Sequence, residues 1–443
     1  MSVTTLPALD AVPARDTADR RAIRKVLIAS IVGTVIEWFD YSLYGVVASL
    51  VINKLFFPAL SPTAATLAAF ATFAVGFLSR PLGGIVIAHI GDRFGRKPAL
   101  IVAICLMGGA TVGLGLLPTY YDIGVWASVL LVLLRLLQGF GAGAELAGAQ
   151  TFVAEYVPQR ERAFYTSLIM ASTGVAILLS SSAFLAVTRL PEDDFMRWGW
   201  RVPFLLSAVL FGVALYIRKN LDETPVYAAA LQRGAQRKRQ EGIPLRQLLT
   251  HSWREVLCGF LSLAGHLSWG YVLSVFSLSY LSNTLGMSKS DGLIALMIAV
   301  TANTLMTPVM GRLADRFGPT RVFSLGAIFL GLFVFPFFRM LESGNLAVAI
   351  LAMCLAYGVG IGATSGAQGA FLANLFPAPY RFSGIALSRE LNSVMFAGST
   401  PFIATALVAW GGGRSTYVSI YLALCCLLTL GAVQMARRFK VRH

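Results

Sequence analysis

The sequence predicts an all-α membrane protein of twelve transmembrane helices in two pseudo-symmetric six-helix halves. Composition points there first. Of the 443 residues 56% are hydrophobic and 13% charged, about half the charged share of a soluble domain, and the mean hydropathy is +0.71. Apolar segments come second: residues 26–52, 64–90, 99–117, 123–155, 164–188, 202–218, 255–282, 291–311, 320–341, 345–376, 382–410 and 416–436 read as about twelve spans of a bilayer. Third, the chain repeats itself. Asp92-Arg93-Phe94-Gly95 returns as Asp315-Arg316-Phe317-Gly318, an offset of 223, and Gly139-x-Gly141-x-Gly143-Ala144 with Phe152, Ala154, Pro158 and Arg162 returns 219 residues later as Gly358-x-Gly360-x-Gly362-Ala363 with Phe371, Ala373, Pro377 and Arg381. Two blocks in one order at nearly one offset mark a duplicated unit, as transporter folds often carry.

Taken in order, residues 1–22 are rich in Ala, Pro, Asp, Thr and Arg without apolar periodicity and read as a disordered tail. Arg20, Arg21, Arg24 and Lys25 ahead of an apolar run resemble a secretory signal, but the run is too long for one and carries Glu37 and Asp40, so it is a retained first helix. Residues 23–217 form the first half. The charged stretch 218–254, with Arg233, Arg237, Lys238 and Arg239, is a linker, amphipathic or partly disordered, with anionic lipid headgroups as an alternative partner. Residues 255–436 form the second half and 437–443 a short tail.

An even number of spans puts both termini on one side, and basic residues name it. About 26 of the 36 Lys and Arg fall on the side of the termini and about 7 on the other, a positive-inside asymmetry that makes both termini cytoplasmic. The formal net charge of +15 is thus accounted for by topology, and no nucleic-acid partner is needed. The five cysteines, Cys105, Cys258, Cys354, Cys425 and Cys426, lie in apolar runs without CxxC spacing and read as buried thiols, neither disulfides nor metal ligands.

Charges inside the spans carry the chemistry. Glu37 and Asp40 interrupt the first, Arg80 the second, Arg135 and Glu145 the fourth, and Arg389 and Glu390 the eleventh. An ionised carboxylate at mid-membrane costs roughly 2.5–3.5 kcal/mol on insertion scales, so such groups are neutralised, paired or turned to a wet cavity. Gly33, Glu37, Asp40, Tyr41 and Tyr44 stand at offsets of three and four, one helical stripe. Structural ion pairs are one account of these charges. The other is that carboxyls in a partly dry cavity exchange protons while arginines hold an anion, as proton-coupled uptake of an anionic or zwitterionic solute requires. His266 and Trp269 in the seventh span, with Tyr271 nearby, are further cavity candidates, and a packed aromatic face is an equal alternative. The glycine blocks lie inside apolar helices with no preceding strand, so close helix approach explains them better than a nucleotide loop. HExxH, GxSxG and P-loop motifs are absent from the sequence, and no enzyme activity is expected.

Beyond these residues the chain resembles the major facilitator superfamily, and within it the metabolite:proton symporters, over nearly its whole length. The superfamily's glycine-x-x-x-Asp-Arg-x-Gly-Arg-Lys signature is matched by Asp92, Arg93, Gly95, Arg96 and Lys97, with Ala88 in place of the first glycine; the second copy keeps Gly311, Asp315, Arg316 and Gly318 and departs at Pro319 and Thr320. Arg135, Gln138 and Gly139 match the fourth-span Arg-x-x-Gln-Gly. Glu37-Trp38-Phe39-Asp40, Arg80-Pro81-Leu82-Gly83-Gly84, Gly143-Ala144-Glu145 with Ala154-Glu155-Tyr156, and Trp198-Gly199-Trp200-Arg201-Val202-Pro203-Phe204 match the symporter branch. The fifth span has Gly174 without the proline of many drug antiporters, which favours symport.

The resemblance implies a multi-pass inner-membrane transporter, working as a monomer and rocking its halves around a central site to import a small polar metabolite with protons. The proton gradient is its energy source, with no cofactor or metal. Proton coupling falls to Glu37, Asp40 and Arg135, with Arg135 the carboxylates' favoured partner. Substrate contacts fall to Arg80, Arg135, Tyr41, Tyr44, His266, Trp269, Arg389 and Glu390. Asp92, Arg93, Gly95, Arg96, Asp315 and Arg316 form the cytoplasmic gate, each carboxylate facing a helix end and its basic neighbours bridging the halves. Three embedded arginines favour an organic acid; a betaine-type osmolyte and a non-transporting metabolite sensor are the alternatives.

Overall fold

The computed structural model describes residues 20–94, 96–143, 145–220, 252–377 and 381–437. The tail before Arg20, residues 221–251, Gly95, Ala144 and the last six residues, on which several expectations fell, lie outside the described residues; the expected linker 218–254 is shorter at both ends, because helices run to Asn220 and begin again at Trp253. Among the described residues twelve long helices run up and down. In the first half they are α1 (Arg20–Val47, continuing through the wider turn Ala48–Ile52), α2 (Pro62–Leu78 and Arg80–Phe94), α3 (Arg96–Leu116), α4 (Val125–Gly141 and Glu145–Tyr156), α5 (Arg162–Val187) and α6 (Val202–Asn220). The second half has α7 (Trp253–Ser262, Ala264–Tyr271 and on through Val272–Phe276 to Tyr280–Thr284), α8 (Lys289–Phe317), α9 (Pro319–Leu341), α10 (Leu346–Cys354, Leu355–Ile361 and Gly362–Leu375), α11 (Arg381–Asn392, Ser393–Ala397 and Thr400–Trp410) and α12 (Thr416–Ala436). Ten are long and apolar enough to cross a membrane; α3 and α6 contribute the shorter apolar helices Ile101–Leu116 and Gly199–Val213.

Local chemistry sets the ends. Ser61 accepts a hydrogen bond from Ala64 N ahead of α2, Ser288 from Asp291 N ahead of α8, and Asn345 from Ala347 N and Val348 N ahead of α10, each satisfying amides that a helix start leaves open. Between α8 and α9 the chain reverses at Gly318 with φ 94°, and Pro319 opens α9, the left-handed turn and the helix-start proline each taking their favoured residue. The Trp198–Phe204 motif is a clamp. Trp200 is buried against Phe56 and Phe204 while Arg201 donates to Leu117 O, tying the start of α6 to the ends of α1 and α3.

Inside the bundle, small residues let backbones touch. A Cβ on Gly139 would fall on Gly76 O, one on Gly83 on Phe140 O, and one on Gly143 within 2.5 Å of Arg80 O and Gly84 N, so α2 and α4 pack backbone to backbone. A Cβ on Gly366 would likewise come within 2.7 Å of Gly311 N and Thr307 O, so α10 and α8 pack the same way. The glycine blocks are packing devices. Cysteines are unpaired among the described residues, and Cys105, expected to be buried, is exposed on α3.

The halves meet where α5 packs on α8 and α10, and where α11 packs on α2 and α4. α1 and α7 meet at their wide π turns, Ala48–Ile52 and Val272–Phe276. Such turns carry an extra residue and gather at functional sites.

Candidate functional site

Midway along the interface four charged side chains gather. Arg80 on α2 donates through Nε to Glu390 Oε2 at 3.2 Å and through Nη2 to Glu390 Oε1 at 3.5 Å, across the halves. The same Nη2 reaches Glu37 Oε1 on α1 at 3.5 Å. Arg80, Glu37, Arg389 and Glu390 are all buried, where removing one member of an ion pair costs about 3–5 kcal/mol. Arg389 differs in having no carboxylate bound among the described residues. Its Nη1 donates to Gln368 Oε1 at 2.8 Å, Gln368 Nε2 lies 3.0 Å from His266 Nε2, and His266 Nδ1 lies 2.7 Å from Thr364 Oγ1. One guanidinium is clasped by two glutamates; the other is steered by a neutral amide.

An aromatic layer covers this cluster. Tyr41, Phe73, Phe77 and Tyr271 pack edge to face with ring centroids 5.0–6.2 Å apart. The Tyr41 ring stands between two cations, 5.3 Å from Arg80 Cζ and 5.1 Å from Arg135 Cζ, a desolvated cation–π geometry. Beyond the layer, away from the chain termini, Trp38, Tyr41, Phe73, Tyr271, Ser274 and Val275 line a cavity of about 30 Å³. That volume holds a water or two. A metabolite needs more room than this.

Both ends are shut. At the end bearing the termini, Asp315 accepts from Ala163 N at 2.8 Å and Phe164 N at 2.9 Å, a carboxylate from the second half on the amino end of α5, where the helix dipole favours it. The duplicated arginines do the bridging. Arg162 donates to Ala154 O and, across the halves, to Asn374 Oδ1 at 2.9 Å; 219 residues on, Arg381 donates to Ala373 O and lies 3.7 Å from Glu155 Oε1. At the far end Ser49 Oγ donates to Val275 O, Asn283 Nδ2 to Ser49 O, and Lys289 Nζ to Glu192 Oε1 at 2.6 Å, with Lys54 3.8 Å from the same oxygen.

Several expected residues sit elsewhere than the stripe suggested. Asp40 does not share Glu37's surroundings: its carboxyl turns into the first half, toward the Thr111 and Ser207 hydroxyls, and its Oδ1 has no hydrogen-bond partner among the described residues. Positions three apart differ by about 60° around a helix, enough to point at different neighbours. Nor does Arg135 pair with either carboxylate. It is fully buried, donates to Gln138 Oε1, Thr72 O and Phe73 O, and lies under the Tyr44 ring at 3.9 Å. Its link to Asp40 is indirect, because Gln138 Nε2 donates to Thr111 Oγ1 at 2.8 Å. Tyr44 is bonded to Thr72 Oγ1 and serves Arg135, away from the cavity lining. Trp269 points into the second half against Phe337, fully buried, so it has no place in the central site. Arg316 stacks on its neighbour Phe317; Arg312, over the Phe164 ring at 4.6 Å, makes the contact across the halves. The side chains of Asp92, Arg93, Arg96 and Glu145, and all of Gly95, lie outside the described residues.

Sequence reasoning missed Gln368, Thr111, Ser207 and Asn374. Gln368 had a faint signal as an amide in a small-residue run, while Asn374 had a clear one, as the repeat partner of Glu155.

Two helical halves packed around a buried charged cluster give the architecture of a membrane carrier. The profile of the Major Facilitator Superfamily matches residues 30–397 and 260–442, and the chain belongs to that family: it is a secondary transporter and not an enzyme. It is 36% identical to the shikimate transporter of Escherichia coli (strain K12) over 419 residues, 94% of this chain and 95% of that one. Against the proline/betaine transporter of Escherichia coli (strain K12) it is 36% identical over 397 residues, covering 88% and 79%. Against the citrate-proton symporter of Klebsiella pneumoniae the identity is 32% over 402 residues, covering 89% and 88%. A D-xylose-proton symporter structure superposes with TM-score 0.72 at 20% identity over 94% of this chain and 98% of that one, a likeness of fold.

Proposed function

We propose that the chain imports a small organic acid together with protons across the inner membrane, both termini facing the cytoplasm. The observation that carries this is the arginine pair at the interface. Arg80 offers a two-nitrogen edge already holding a carboxylate, and Arg389 is a buried cation with no carboxylate bound among the described residues; fork-shaped guanidinium groups suit carboxylates in this way. Asp40, placed beside Thr111 and linked through Gln138 to Arg135, is the proton carrier within the first half, and Glu37 holds Arg80. The halves 23–217 and 255–436 rock as bodies, and Asp315 on α5 with the Arg162 and Arg381 bridges latches the cytoplasmic end. Relatives at similar identity named for shikimate, citrate and proline/betaine support carriage of a small charged or zwitterionic metabolite.

Purified protein in liposomes under an inward proton gradient should accumulate shikimate or citrate and admit protons with it. Substrate bound but neither accumulated nor accompanied by protons would overturn the symport reading in favour of a sensor. A betaine-type osmolyte is the alternative substrate, favoured by the aromatic wall of Trp38, Tyr41, Phe73 and Tyr271, which suits a quaternary ammonium; uptake of glycine betaine with no uptake of acids would decide for it.

A further inference from the structure

We propose that Glu390 occupies the place of the substrate carboxylate on Arg80, and that it takes up a proton when the acid displaces it. The inference rests on the organic-acid reading above. Three features carry it. Glu390 meets Arg80 side-on, one oxygen to Nε and the other to Nη2, the two-point geometry in which a free carboxylate binds a guanidinium. A substrate carboxylate is the same chemical group and competes for the same edge. Glu37 meets Arg80 at Nη2 and comes from the same half, so it travels with the arginine while Glu390, from the other half, is drawn away as the halves part.

Charge balance then requires a proton. Arg80, Arg389, Glu37 and Glu390 sum to zero, and all four are buried. An entering carboxylate that takes Arg80 adds one negative charge and strands Glu390 away from its partner, a state that burial penalises heavily. Balance returns when Glu390–COO⁻ gains a proton from the aqueous side then open and becomes Glu390–COOH; no other bond is made or broken, and the substrate stays ionised on Arg80. Among the described residues, Glu37 is the one other carboxylate on Arg80, and that arginine holds it. α2 presents Arg80, α1 Glu37 and Tyr41, α7 Tyr271 and, through Gln368 of α10, His266; α11 itself carries Arg389. On α4, Glu155 is engaged by Arg381, and the Glu145 side chain lies outside the described residues.

Shikimate is the probe, with citrate and glycine betaine alongside, on the purified full chain. In a lightly buffered dye solution the parent should take up about one proton per shikimate bound. An infrared difference spectrum should show a new protonated-carboxyl band. Glu390→Gln should bind shikimate without proton uptake and with a flat pH profile; Glu390→Asp, which keeps the charge and stands in if the glutamine variant does not fold, should shift the band. A band unchanged in Glu390→Asp, or shikimate or citrate bound with no carboxyl band, would overturn this role alone. Glycine betaine binding with no binding of either acid would overturn the organic-acid reading with it.

Discussion

Asp40 and Glu37 are separated by three residues on α1 and by a change of task. Glu37 looks into the half interface at Arg80, while Asp40 looks into the first half at Thr111 and Ser207. Replacing Asp40 by Asn keeps the shape and removes the exchangeable proton. Uphill uptake by that variant should vanish in proteoliposomes, while counterflow exchange of shikimate continues; accumulation equal to the parent at equal expression would refute the role. The sequence showed that these carboxyls were anomalous in an apolar helix, but helical offsets of three and four group positions up to about 60° apart and could not tell which neighbour each would find. Arg135 and Gln138 were legible as a motif. Their working partner Thr111 was not, because an ordinary threonine in an apolar helix carries no distinguishing pattern.

Among the elements, α2 and α4 depend on glycine. Because a Cβ on Gly139 would fall on the Gly76 carbonyl, and one on Gly76 on the Arg135 guanidinium, a methyl group here must push two backbones apart. Gly139→Ala should cost about 1–3 kcal/mol, as overpacking does, read as a lower melting temperature in detergent and slower uptake with Arg135 itself intact. An unchanged melting temperature would show that the helices can part freely. This contact was legible in advance, since small residues at helical spacing inside an apolar run have few other uses. The π turns of α1, α7, α10 and α11 were not, because one extra residue in a turn leaves no mark in composition.

On the scale of the molecule, hydropathy and the repeat foretold two six-helix halves, but the bonds between halves join residues far apart in sequence and only the fold could pair them. The Glu192–Lys289 bridge at the far end is one such bond, and it is exposed to solvent. The Lys289 ammonium holds the Glu192 carboxyl below its usual value of 4.5. A depressed carboxyl contributes fully above its unfolded value and loses that contribution as pH falls through the folded one. This closure should therefore persist at neutral pH and weaken only below about 4.5. A single cysteine placed beside Ser274 should become more reactive to an impermeant thiol reagent in Lys289→Ala at neutral pH, and in the parent only in strong acid; equal reactivity of variant and parent at neutral pH would show the bridge to be idle. Because such surface pairs are individually weak, the change in reactivity should be modest, severalfold at most.

The balanced cluster around Arg80 also fixes how the carrier responds to voltage. A membrane potential does work only on net charge that crosses it, about 2.3 kcal/mol per elementary charge per 100 mV. Two arginines and two glutamates present none as the empty halves rock, and a monocarboxylate accompanied by the proton on Glu390 presents none either. With a second proton on Asp40, one positive charge crosses in each cycle, so an inside-negative potassium diffusion potential should accelerate shikimate uptake; uptake that ignores the potential would refute Asp40 as a proton carrier, and a recording of current against uptake counts the protons that the buried carboxyls carry.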